Sequence, residues 1–248
     1  MDTSIAKPSK PFLHKTPPEA LGESICKNIV IGDSSAKSPG QRTFEITYPG
    51  DADKLLDHPS THQAFDADDY MPYWAELWPS AQMLGEALLR LSSSSAWPVC
   101  KAETCTALEI GCGVGLSGIV ALSLGLRVIF SDYDETALGF AQRNAIANGF
   151  DNFECLPLDW RVPPNFKVPL ILAADVIYEE RNIAPLIGLI KAVLAPGGVC
   201  LLSDPDRSTR GGFRYALKQA QLTFTQEAYD ADGPEGRRVK GTVYYIRL

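Results

Sequence analysis

Thr106-Ala107-Leu108-Glu109-Ile110-Gly111-Cys112-Gly113-Val114-Gly115-Leu116-Ser117-Gly118 runs from a short apolar segment through a glycine-rich turn into an amphipathic stretch. Gly111, Gly113 and Gly115, at alternate positions, let the backbone come close to a ligand, and a helix starting behind them presents unpaired N–H groups. The turn is therefore a candidate nucleotide site. Gly113-x-Gly115-x-x-Gly118 also satisfies the dinucleotide pattern, so the loop alone leaves a nicotinamide cofactor open. A tight strand-to-helix turn without any ligand is the plain alternative.

Outward from this turn, apolar runs and amphipathic stretches alternate. Runs at 107–110, 127–131, 153–156, 170–174 and 199–203 predict five strands. Helices fit between them at 116–124, at 135–148 with Asp134 as N-cap and Gly149 as stop, and at 183–194, capped by Asn182 and ended by Pro196-Gly197-Gly198. The alternation implies right-handed βαβ units and a parallel α/β sheet covered on both faces. A helix around 213–220 leads into a terminal antiparallel hairpin, 222–228 and 239–247. Upstream, Ala81, Leu84, Leu88 and Leu91 fall on one face of a helix that opens at Pro79 and ends in Ser92–Ser95. Before it come a loose tail over 1–24, a hairpin of 26–31 and 42–48, and an acidic, turn-rich segment over 51–70. The expected division is an extension over 1–71 and an α/β domain over 72–248.

Composition narrows the function classes. The 248 residues are 45% hydrophobic and carry a formal charge of -7, which argues against a nucleic-acid or anionic-lipid partner. No run approaches the roughly 18 apolar residues of a membrane span, and Met1–Ala20 has no apolar centre, so a cytosolic location is expected. The six cysteines include no CxxC pair, and Pro59 between His58 and His62 argues against one helix face carrying both. Neither a metal site nor a disulfide framework is expected.

Acids follow the predicted strands at their carboxyl ends, where open α/β sheets bind ligands. Asp132 could hold two ribose hydroxyls, since Asp134 is available for the helix cap. In Asp159-Trp160 a carboxylate can accept from an exocyclic amine while the indole covers a base, or the pair is a turn acid beside a half-buried ring. Asp175 and Tyr178 are the candidates for handling an acceptor; capping and packing are their plain alternatives. Cys112 has no histidine nearby in sequence to activate it as a nucleophile.

Glu109-Ile-Gly-Cys-Gly-Val-Gly, Asp132, Asp159-Trp160 and Ala174-Asp175-Val-Ile-Tyr178 together resemble the class I S-adenosylmethionine (SAM) methyltransferases. The DxxY element and the upstream Trp78-Pro-Ser-Ala are similar to family 16, a seven-stranded group rich in protein-lysine methyltransferases. The likeness spans about 72–248, and the Pro-Tyr-Trp-Ala…Trp-Pro arrangement is similar to enzymes acting on the β subunit of electron-transfer flavoprotein. The resemblance implies a Rossmann-like sheet of order 3-2-1-4-5-7-6 with strand seven antiparallel. It also implies SAM as cofactor, with Gly111 and Gly113 at its methionine part, Asp132 at ribose, Asp159 and Trp160 at adenine, Ala174 nearby and Trp78 closing the pocket. Glu109, Cys112 and Gly115 complete that cofactor set, and Asp175 and Tyr178 stand at the acceptor.

The expectation is a monomeric N-methyltransferase acting on an accessible lysine of a protein substrate, or on a small amine or heterocycle. A lysine amine, with a pKa of about 10.4, must lose its proton before it attacks. A carboxylate stabilises ammonium, so Asp175 is expected to dock and orient the acceptor rather than act as a simple base. Tyr178, Trp74 and Trp78 could hold a cationic amine on their ring faces, and both tryptophans could equally anchor the entry segment. Glu76 and Glu179 would form an acidic mouth or merely solvated surface. An NAD-dependent oxidoreductase and a non-catalytic interaction module are the competing classes.

Overall fold

The computed structural model describes residues 13–32, 40–94, 105–233 and 236–248. Side chains of the central strands alternate between two apolar clusters, as a sheet buried on both faces requires. In β3 (Thr106–Ile110), Ala107 joins one cluster while Leu108 and Ile110 join the other. In β6 (Val168–Ala174), Leu170 and Leu172 face the first cluster, and Ile171 and Ala173 the second.

The remaining strands are β4 (Arg127–Asp132), β5 (Phe153–Pro157), β7 (Leu194–Asp204), β8 (Thr223–Asp232) and β9 (Arg238–Arg247). The sheet runs β5-β4-β3-β6-β7-β9-β8, with β9 antiparallel to both neighbours. Counted within the sheet this is 3-2-1-4-5-7-6, the expected order. The helices α3 (Pro79–Ser92), α4 (Leu116–Ser123) and α5 (Glu135–Ala147) cover one face, and α6 (Ile183–Val193) and α7 (Arg210–Gln219) the other. A separate two-stranded sheet, β1 (Ser24–Ile31) with β2 (Arg42–Pro49), is the predicted hairpin; most of its connection, 33–39, lies outside the described residues.

Four local expectations are corrected. The segment after β2 is helical: α1 (Ala52–Leu56) is capped by Asp51, and α2 (Pro59–Asp68) opens on Pro59 with His58 Nδ1 accepting from the Ser60 N–H. Proline in a first turn costs no hydrogen bond, so it starts the helix that His62 belongs to. The described part of the tail is packed, with Thr16 and Ala20 buried, because His14 and Thr16 bond to the start of α5; residues 1–12 lie outside the described residues. Pro196-Gly197-Gly198 lies inside β7, which follows α6 directly and shifts register against β6 there. Asn182 ends a 3-10 turn, Glu180–Asn182, and makes no side-chain cap to α6.

Cys26, Cys112, Cys155 and Cys200 are free, and Cys105 is disulfide-bonded. No described helix is long and apolar enough to cross a membrane.

Candidate active site

The carboxyl ends of β3, β4 and β6 and the turn after β5 open into a cavity of about 450 Å³. Gly111, Gly113 and Gly115 all take positive φ, 59°, 52° and 87°. A Cβ on Gly111 would meet the Trp160 ring at 3.2 Å, and one on Gly113 would meet the Trp74 carbonyl at 3.3 Å, so only glycine leaves the cradle open. Gly115 does not line the cavity; it stands at the N-cap of α4, against Ala141.

Glu109 is buried beneath the loop, where its Oε2 accepts the Gly118 N–H at 3.0 Å. Burial pushes its carboxyl up to about 8. The third glycine of the dinucleotide pattern is thus filled by packing: a Cβ on Gly118 would lie 2.5 Å from Glu109 Oε2 and against Phe130. Asp132 accepts from the Gly113 N–H at 2.9 Å and the Asp134 N–H at 3.0 Å, tying the loop to the end of β4, and burial raises its carboxyl to about 6. Asp134 caps α5 through the Thr136 N–H, as predicted. Burial pushes the Cys112 thiol well up, consistent with an inert loop residue.

Of the other anticipated site residues, Trp78, Asp159, Trp160, Ala174, Asp175 and Tyr178 all line the same cavity. Asp159 is engaged by Arg161, whose Nε lies at 2.8 Å and 3.0 Å from its two oxygens, and Arg161 also forks onto Asp68 at 2.7 Å and 2.8 Å. Asp175 has φ 55° and a buried carboxylate that accepts from Arg207 Nε at 2.6 Å and Ser80 Oγ at 3.2 Å. Tyr178 packs edge-on to Tyr73 at 5.1 Å, and burial raises its phenol, which stays protonated. Trp78 donates from Nε1 to the Tyr73 carbonyl at 2.7 Å.

The cavity roof, 68–78, was only partly foreseen. Its Tyr70 and Trp74 donate to Asp134 Oδ2, which also accepts from Thr16 Oγ1. Asp68 and Asp69 clasp Arg161 and Arg181 across the opening. Sequence reasoning missed Arg161, Arg207, Ser80, Asp68, Tyr70 and Thr16 as site neighbours. Ser80 lies within the quoted Trp-Pro-Ser-Ala run and was the one signal available.

Residues 72–225 match the family model described as lysine methyltransferase. The chain belongs to that family. It is 36% identical over 104 residues to the histidine protein methyltransferase 1 homolog of Dictyostelium discoideum, covering 39% of this chain and 34% of that protein. It is 30% identical to the protein N-lysine methyltransferase METTL21A of Mus musculus, over 64% of this chain and 76% of that one. The electron transfer flavoprotein beta subunit lysine methyltransferase of Danio rerio is 30% identical, over 55% of this chain and 51% of its own length. The chain therefore spans between a third and three quarters of these relatives. A SAM-dependent methyltransferase from Aquifex aeolicus shares the fold, with TM-score 0.51 and 17% identity over 69% of this chain and 94% of that one. The expected family and Rossmann-like fold are thus found, and the family places the cradle among methyltransferases rather than nicotinamide enzymes.

Proposed function

We propose that this chain is a SAM-dependent N-methyltransferase that modifies a lysine side chain of a protein. The observation that carries this reading is the convergence of the glycine cradle, Asp132, Asp159-Trp160 and Asp175-x-x-Tyr178 on one cavity in a member of the lysine methyltransferase family. The residues fit SAM: a Cβ at Gly111 or Gly113 would fill the space, and the Asp132 carboxylate faces it. Gly111 and Gly113 would hold the methionine part, Asp132 the ribose, Trp160 and Asp159 the adenine, with Ala174 alongside and Trp78 at the entrance. Glu109, Cys112 and Gly115 would shape the loop, Glu109 by bracing it from below.

When bound, SAM supplies a methyl group on a positively charged sulfur, open to in-line displacement by an amine. The chain's task is to orient that amine, hold it free of its proton and exclude water. A smaller cavity of about 170 Å³ adjoins the main one, lined by Tyr73, Trp78, Asp175, Tyr178, Glu179 and Arg207. Its three aromatic rings suit the apolar stem of a lysine and its cationic or methylated head. The division into an extension, 1–71, and a catalytic domain, 72–248, belongs to the same proposal, with the qualification that Asp68 and Tyr70 of the extension lie in the cavity wall.

A histidine ring nitrogen is the second reading, favoured by the likeness to a protein named as a histidine methyltransferase. Incubating the purified chain with isotopically labelled SAM and cell extract, followed by peptide mass spectrometry, tests both. Methyllysine in an extract protein is expected. Methylhistidine would select the second reading, and SAM bound without any labelled protein would refute both in favour of a small-molecule acceptor.

A further inference from the structure

The charges at and beside the smaller cavity are arranged in pairs. Glu179 is held by Arg181, Asp206 by Arg210 at 3.0 Å, and Asp175 by Arg207 at 2.6 Å. Asp204, with a carboxyl raised to about 6 by burial, accepts the Arg207 N–H at 2.9 Å. Arg207 also lies over the Trp78 ring, its guanidinium carbon 5.5 Å from the ring centre, while its side chain stays 33% exposed. Asp175 cannot move away from it: its N–H donates to the Ser203 carbonyl at 2.9 Å, and Ser80 occupies its second oxygen. Five of the six residues around this cavity, all but Arg207, also line the larger one, so Asp175 belongs to the wall that the two share.

An unpaired carboxylate there would work against methyl transfer. An opposite charge within about 4–6 Å favours the charged form of a titrating group by about 1–3 pKa units, and an ammonium has no lone pair with which to attack. We infer that Arg207 is a positioning residue: clamped on Asp175 and stacked on Trp78, it cancels the carboxylate's charge at the acceptor mouth, so that the acceptor's ammonium is not trapped there and can give its proton to solvent before the amine attacks. The inference rests on the proposed methyltransferase reading and deepens it. Asp175 then acts as a fixed polar wall rather than as a trap for ammonium. Trp78, Tyr73 and Tyr178 supply the contacts that do not depend on charge.

The test needs no acceptor protein. Sinefungin carries an amine-bearing carbon where SAM has its methylated sulfur, whereas S-adenosylhomocysteine carries a neutral sulfur there. Calorimetry yields the ratio of their Kd values for the wild-type chain, Arg207→Gln, Arg207→Lys and the double variant Arg207→Gln/Asp175→Asn. Arg207→Gln is expected to shift the ratio about tenfold in favour of sinefungin, because its ammonium then meets a bare carboxylate. Arg207→Lys should restore the wild-type ratio, and the double variant should lose the shift. A purely structural Arg207 would change both affinities by the same factor; an unchanged ratio, or a shift that persists in the double variant, overturns the inference. Failure of the wild-type chain to bind either compound overturns the cofactor reading and takes this inference with it.

Discussion

Asp134 joins three parts of the chain, which gives its removal a calculable cost. Its Oδ1 accepts from the Thr136 N–H at 2.7 Å and the Thr16 N–H at 3.2 Å. Its Oδ2 accepts from Thr16 Oγ1 at 2.5 Å, from Tyr70 and from Trp74 Nε1 at 3.0 Å. Asp134→Ala loses a helix cap, about 1 kcal/mol, and strips the acceptor from the Thr16 N–H and two hydroxyls, about 1 kcal/mol each. Trp74 keeps Tyr70 as a partner at 3.1 Å, so it adds little. The total is about 4 kcal/mol, a large share of the roughly 5–15 kcal/mol of a typical domain. Asp134→Asn should cost much less, about 1–2 kcal/mol, because the amide oxygen can serve the two N–H groups while the hydroxyls turn to accept from the amide nitrogen. Urea unfolding of the three proteins at one pH, with the denaturant slope held in common, measures both steps. Equal losses for alanine and asparagine, or a loss below about 1 kcal/mol for alanine, would refute the junction.

Other expectations concern titration and glycine. The Asp132 carboxyl, raised to about 6, should, on the proposed ribose-binding role, leave SAM affinity flat above that pH and lower it about tenfold per unit below, as the carboxylate is protonated; calorimetry across pH checks this, and Asp132→Asn should abolish the dependence. Glu109 is raised to about 8 in the fold, so its contribution to stability is fully present below its unfolded value and is lost as pH rises through about 8; Glu109→Gln should flatten the melting profile over that range. Gly115→Ala forces a Cβ to 2.8 Å from Ala141 at φ 87° and should cost about 2–4 kcal/mol in urea unfolding. Gly188→Ala, inside α6 with nothing within 4 Å of the new Cβ, should instead gain about 0.5–1 kcal/mol.

The central sheet was legible because its signals are local. Each strand from β3 to β7 contains one of the short runs read as strands, and Gly149 and the glycine turn punctuate the connections. Two elements hid from the same method. In α1 and α2 the buried positions are few, Leu55, Thr61 and Ala64, so an acidic composition concealed two capped helices. In β7 the Pro-Gly-Gly that normally ends a helix is absorbed as a register shift against β6, a choice made by strand pairing.

The order of elements, the glycine cradle and the acids at the strand ends were all decided along the chain itself, since periodicity, turn chemistry and spacing act within a few residues. Pairing across the cavity was decided only on folding. Thr16 meets Asp134 across 118 positions, Asp68 meets Arg161 across 93, and Arg207 reaches Asp175 across 32. No local propensity encodes such meetings. They depend on which side chains the sheet's crossover order brings to the same rim, and on buried carboxylates there needing partners once water has been removed.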